Sequence, residues 1–158
     1  MSSGCTLSTK DFEYDLIAIE TQKVPALLEK GITLACVQWL KDCLEQVPTV
    51  PIDTGRLRSS GSVFVDNILK AKSPEVMRPV PRVHGDPSPA TTHVETLRPD
   101  KHVGIVGWNT EYAKKVHEAI ETHFREPGSG ALFLSTKAAN NGNKYMGIIA
   151  DVLHVGVV

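Results

Sequence analysis

Apolar side chains recur at offsets of three and four through Val24, Leu27, Leu28, Ile32, Ala35, Cys36, Trp39, Leu40, Cys43, Leu44 and Val47. That spacing draws one stripe along a helix, with Lys23, Glu29, Lys30, Lys41 and Glu45 mostly off it. The pattern predicts helix from Asp15 to Val47. Pro25 should kink or restart it, because proline removes a donor and clashes one turn back. Phe12–Tyr14 reads as a short strand ahead of it, and Pro48 and Pro51 end it.

Beyond Pro51 the period changes. Gly61–Val65 is rich in β-formers and reads as a strand. Thr91–Leu97 and His102–Trp108 read as a hairpin turned by Arg98–Lys101. Tyr112–Ile120 reads as a short amphipathic helix capped by Asn109 or Thr110. Glu126–Gly130 is a loop, Ala131–Leu134 opens a new segment, and Tyr145–Leu153 is a closing helix with Met146, Ile149, Val152 and Leu153 on one side. The expected fold is α+β: a long N-terminal helix on a small antiparallel sheet, with a short helix and a C-terminal helix. Residues 1–158 are read as a single domain.

Half of the ten prolines fall between residues 70 and 90, a composition that suits an extended arm better than a core element. From Arg56 to Arg82 six basic residues (Arg56, Arg58, Lys70, Lys72, Arg78 and Arg82) stand against Asp66 and Glu75, a net of +4. Such a stretch suits a solvated loop, docking on a neighbouring subunit, or contact with nucleic acid. Over the whole chain, 17 Lys and Arg balance 18 Asp and Glu. That argues against a protein gripping duplex DNA by neutralising many phosphates. No apolar run approaches the ~18 residues of a membrane span, and the first residues lack the features of a secretory signal. Cys5, Cys36 and Cys43 form no C-x-x-C pair, and the last two read as reduced packing residues.

Asp53-Thr54-Gly55 matches the catalytic triplet of aspartic proteases, where two aspartates share a proton, so a chain with one copy would act as a dimer. Ile105-Val106-Gly107 stands where a retroviral-type protease has its own apolar-apolar-Gly triplet. Against this, Arg56 replaces the small residue expected after the glycine, and helices are expected on both sides of a segment that such enzymes build from strands. The alternative is a structural corner: Pro51 fixes φ, Asp53 caps a turn, Gly55 relieves the backbone, and Arg56-Leu57-Arg58 starts a short helix with Leu57 inward. The histidines have no metal-ligand spacing, since Glu121 stands where H-E-x-x-H needs its second histidine. No phosphate-binding glycine loop or serine-nucleophile motif is present, and no cofactor is expected.

Pro51 to Ser60 resembles the P-x-D-T-G-x-L-R-x-S hallmark of the tail-component or neck family of long-tailed bacteriophages. Val106 to Ala113 is similar to that family's V-G-x-N-x-x-Y-A step from strand to helix. His117-Glu118 stands where the family often has a histidine or glutamate, and Gly130 to Leu134 resembles its G-x-K-F-L segment. Order and spacing agree over roughly residues 20 to 153. The chain departs from the pattern at Glu121 to Phe124 and in its longer proline-rich arm.

The resemblance implies a non-enzymatic virion protein at the head-to-tail junction, working as a homo-oligomeric ring and made in the host cytoplasm. Its implied neighbours are portal, connector or head-closure proteins on one side and tail-terminator or tail-tube proteins on the other, with packaged DNA in the channel and no membrane. On this reading Pro51, Asp53, Thr54 and Gly55 hold a corner. Arg56, Arg58, Arg78 and Arg82 are candidate subunit contacts. Leu57, Trp39, Trp108 and Tyr112 are packing anchors.

Overall fold

The computed structural model describes residues 22–52, 55–74 and 102–157. Helix α1 spans Val24–Glu45, with Pro25 in its first turn, where no N–H is required; Gln22 and Lys23 form a π-helical turn before it. Proline therefore starts this helix. The expected Phe12–Tyr14 strand and the stretch from Asp15 lie outside the described residues. At the other end Gln46 is extended and returns its N–H to Asp42 O at 2.9 Å, so Val47 leaves the stripe and is 74% exposed. A residue before proline is held away from helical geometry, which places the end there.

A four-residue helix α2, Arg56–Ser59, leads into β1, Gly61–Val65. The turn Asp66–Asn67, with both φ values positive at 51° and 65°, reverses the chain into β2, Ile68–Lys72. Two left-handed residues match the twist of a tight hairpin, and Asp and Asn tolerate that conformation well. Residues 70–72, where the expected arm would start, are sheet. Residues 75–90 lie outside the described residues. β3, Gly104–Trp108, pairs antiparallel with β1 from Gly61↔Trp108 to Val65↔Gly104, giving the order β2-β1-β3. The hairpin partner expected for it, Thr91–Leu97, lies outside the described residues.

All five residues of central β1 are buried. A bulge at Val63/Phe64 makes Lys70 the extra residue of β2, and its ammonium meets Glu29 Oε1 of α1 at 2.6 Å. Helix α3, Ala113–His117, is shorter than expected. Its N-cap is Tyr112, without a side-chain cap from Asn109 or Thr110, and Ile120 is 71% exposed.

Helix α4, Phe133–Val157, starts twelve residues before the expected Tyr145. It runs antiparallel to α1: Gly31 faces the Ile149 backbone, Trp39 stacks on Tyr145, and Cys43 meets Phe133. Tyr145 is buried and the adjacent Met146 is exposed, a correction to the expected apolar side. The fold is α+β, with α1 between the small sheet and α4. Its core gathers Cys36, Leu40, Cys43, Leu44, Val50, Leu57, Val63, Val65, Val106 and Phe133.

Candidate functional site: a junction of three chain segments

Gly55 has φ 82°, a left-handed conformation that costs a side-chain-bearing residue energy, and it opens α2. Ser59 Oγ donates to Gly55 O at 2.8 Å and Ser60 Oγ to Leu57 O at 2.7 Å, closing a tight corner with Leu57 buried inside it. Pro51 is buried behind it. Asp53 and Thr54 lie outside the described residues. Ser60 O then receives the Asn109 N–H at 3.4 Å, joining this corner to the exit of β3.

Phe133 fills the space between these segments. Trp108 meets its ring edge-on at a centroid distance of 5.2 Å, and His117 stacks on it at 4.9 Å. Leu132 N–H donates to His117 O at 2.8 Å, fixing how α4 begins. Ala113 is buried, and Trp108 and Tyr112 pack half-buried against the same core. Trp39 lies further along α1, its indole N–H on Leu134 O at 3.3 Å.

Two cations meet the chain where α1 ends. Arg58 Nη2 donates to Leu44 O at 2.6 Å, and Lys137 Nζ donates to Pro48 O at 3.1 Å. Positive charge is favourable at a helix C-terminus, whose carbonyls lack intrahelical partners. Arg58, a candidate subunit contact on the family resemblance, donates to a carbonyl of its own chain. Arg56 is exposed; Arg78 and Arg82 lie outside the described residues. Arg58→Ala should lose about 1–2 kcal/mol in urea unfolding, the worth of a charged hydrogen bond at a helix end. A change below a few tenths would show that water replaces the guanidinium freely.

Between α1 and α4 lies a polar seam on Asp42, whose side chain is only 3% exposed. Its carboxylate accepts from Gln38 Nε2 at 2.7 Å, Tyr145 OH at 3.0 Å, Asn141 Nδ2 at 3.1 Å, and Lys144 Nζ at 2.9 and 3.2 Å. Burial by itself pushes this carboxyl up. The bonds from Lys144, Gln38 and Tyr145, with the Lys144 charge, outweigh burial and hold it below the ordinary aspartate range. A carboxyl depressed in the fold contributes stability that is complete above its unfolded pKa of ~3.9 and is lost as pH falls through the folded value. Thermal melts stepped from neutral pH downward should therefore lose stability below roughly pH 4, and Asp42→Asn should flatten that fall. An unchanged slope in the variant would assign the acid sensitivity elsewhere.

Burial raises the Cys36 thiol and pushes the Cys43 thiol up to about 12; both cysteines are free and buried. Site-resolved alkylation should leave both unmodified at neutral pH until denaturant is added; labelling of the native chain would contradict their burial.

The sequence reading passed over Phe133, Lys137 and the whole Asp42 seam. One signal was present: Asp42 lies beside the apolar positions 39, 40, 43 and 44, where a charged side chain needs partners. Among the described residues no group of three or more His, Cys, Asp or Glu could hold a metal ion, and no helix is long and apolar enough to cross a membrane. No protein-family model matches the chain, and comparison with curated proteins and with solved structures finds no match.

Proposed function

We propose that the chain is a structural protein of the bacteriophage head-to-tail junction, assembling as a ring that joins the portal-connector complex to the tail. One observation carries this reading. The three segments that resemble the neck family are far apart in sequence, yet they meet at one end of the sheet. Ser60 O receives the Asn109 N–H, Trp108 meets Phe133, and the third segment bonds back to His117. The small α+β domain also suits heterologous contacts, in which one surface meets a different surface of the next copy and the ring closes by rotation. The candidate location is the neck of the virion, after assembly in the host cytoplasm.

The test is electron microscopy of lysates from a phage carrying an early stop codon in this gene. DNA-filled heads separate from complete tails are expected, and normal virions would overturn the reading.

The rival dimeric aspartic protease would cleave an unstructured substrate near ~pH 5 and lose that activity in Asp53→Asn. The α+β fold, with helices on both sides of the triplet, supports the structural reading over it. A DNA-contacting module built on residues 56–82 would bind with steep salt dependence. Arg58 and Lys70 are engaged within their own chain, which weakens that reading.

A further inference from the structure

Asn141-Gly142 is the one Asn-Gly step in the chain. A side-chain amide is most open to attack by its own backbone when glycine follows, because no Cβ hinders the approach. Here the step lies inside α4, and Asn141 faces α1. Its Nδ2 reaches Asp42 Oδ2 at 3.1 Å, Gln46 Oε1 at 3.1 Å and Tyr145 OH at 3.4 Å. Gly142 is placed differently. A methyl group there would meet no described atom within 4 Å, so packing does not require glycine at this position. Glycine also weakens a helix interior.

We propose that Asn141 is a deamidation site which the contact between α1 and α4 keeps closed, and that its product weakens that same contact. In the reaction the Gly142 backbone nitrogen loses its proton and bonds to Asn141 Cγ. The side-chain nitrogen leaves as ammonia, and water opens the succinimide to aspartate or isoaspartate. The fold opposes this in two ways. Within α4 the Gly142 N–H belongs to the helical ladder, and helical ψ holds that nitrogen away from Cγ. The leaving nitrogen is itself bonded across the seam to Asp42 and Gln46. Both restraints lapse only when α4 opens, so the rate follows the population of opened helix. The product then meets Asp42, whose side chain is 3% exposed, at the position from which a donor now bonds it. Two carboxylates so close disfavour each other's ionisation. Lys144 already serves both Asp42 oxygens, Lys137 is turned to Pro48 O, and the Tyr145 hydroxyl is neutral, so the second negative charge has no cation of its own among them. Isoaspartate also adds a methylene to the main chain and breaks the ladder. Time spent unfolded is thereby recorded irreversibly, and the folded chain is preserved.

The inference is independent of the proposed role in phage assembly, and its test needs only the purified full chain. The chain is held at mildly alkaline pH, folded in buffer or unfolded in guanidinium, and its peptides are followed by mass spectrometry. Amide-to-acid conversion at Asn141 is expected in the unfolded sample, and at least about tenfold more slowly in the folded one, where helix opening must come first. Gly142→Ala has room for its methyl group and should fold, yet keep its amide far longer when unfolded. Asn141→Asp reproduces one product directly. It should lower the urea midpoint more than Asn141→Ala, which removes the same bonds without adding charge. That gap should narrow as pH falls toward ~4, where carboxylates take up protons. Equal conversion in folded and unfolded chain, no conversion in the unfolded chain, or an Asn141→Asp variant as stable as Asn141→Ala would overturn the proposal.

Discussion

Asp42→Ala should cost about 2–3 kcal/mol of unfolding free energy, because it strands donors that are buried in the helix interface. The magnitude depends on which partner is stranded. Lys144 is 46% exposed and rehydrates cheaply, so its charge accounts for little of the loss. The Tyr145 hydroxyl is different: it belongs to a residue 7% exposed and loses its carboxylate acceptor inside the helix interface. Gln38 and Asn141 lose bonds to the same carboxylate. Lys144→Met does the reverse, leaving the buried carboxylate with Gln38, Asn141 and Tyr145 but without its cation, and should cost about 2–3 kcal/mol as well. Asp42→Asn, which removes the charge and keeps a polar group, should cost less than Asp42→Ala. Urea midpoints and slopes for the three variants test this ordering. A loss of only a few tenths of a kcal/mol for Lys144→Met would show that the hydrogen bonds alone hold the carboxylate.

Phe133→Ala should lose more, about 3–5 kcal/mol, for a different reason. Phe133 is 1% exposed, and its ring touches both Trp108 and His117. Truncation removes the apolar contacts and leaves a cavity where three segments meet, with little slack for collapse. Leu132, next to it and 37% exposed, is the control and should cost well under ~1 kcal/mol as alanine. Tryptophan fluorescence supplies a second readout: loss of the Phe133 ring should red-shift Trp108 emission. An unshifted spectrum with little loss of stability would remove Phe133 from the centre of the junction. If the proposed role holds, phage carrying this substitution should also yield unjoined heads and tails at elevated temperature, where a destabilised junction fails first.

The pattern of the chain reveals some parts of this protein and conceals others. The α1 stripe is legible because apolar residues at helical spacing must share a face. Val47 misleads because Pro48 ends the helix before the periodicity stops. The β1 strand is equally plain, whereas β2 is hidden: Lys70 and Lys72 read as part of a basic arm, and only the Asp66–Asn67 turn marks the hairpin. Asn140-Asn141-Gly142-Asn143 conceals the first half of α4, since each of these residues is a poor helix former. Tertiary contact overrides that weakness, and Asn141 is spent on Asp42 and Gln46 of the facing helix.

By itself, then, the sequence determined the α+β class, the long first helix, the central strand, the Gly55 corner with Leu57 turned inward, and two buried reduced cysteines. These follow from local rules: periodicity, turn chemistry and the cost of exposing apolar surface. Tertiary structure alone decided that α1 lies between the sheet and α4, that Arg58 and Lys137 serve the end of α1, and that Asp42 is held by three residues of α4 as well as by Gln38. It also decided that Phe133 joins Cys43 of α1 to Trp108 and His117. Each of these depends on which groups meet across long stretches of chain. A buried charge or an unpaired carbonyl specifies that it needs a partner, and only the packed fold specifies which one.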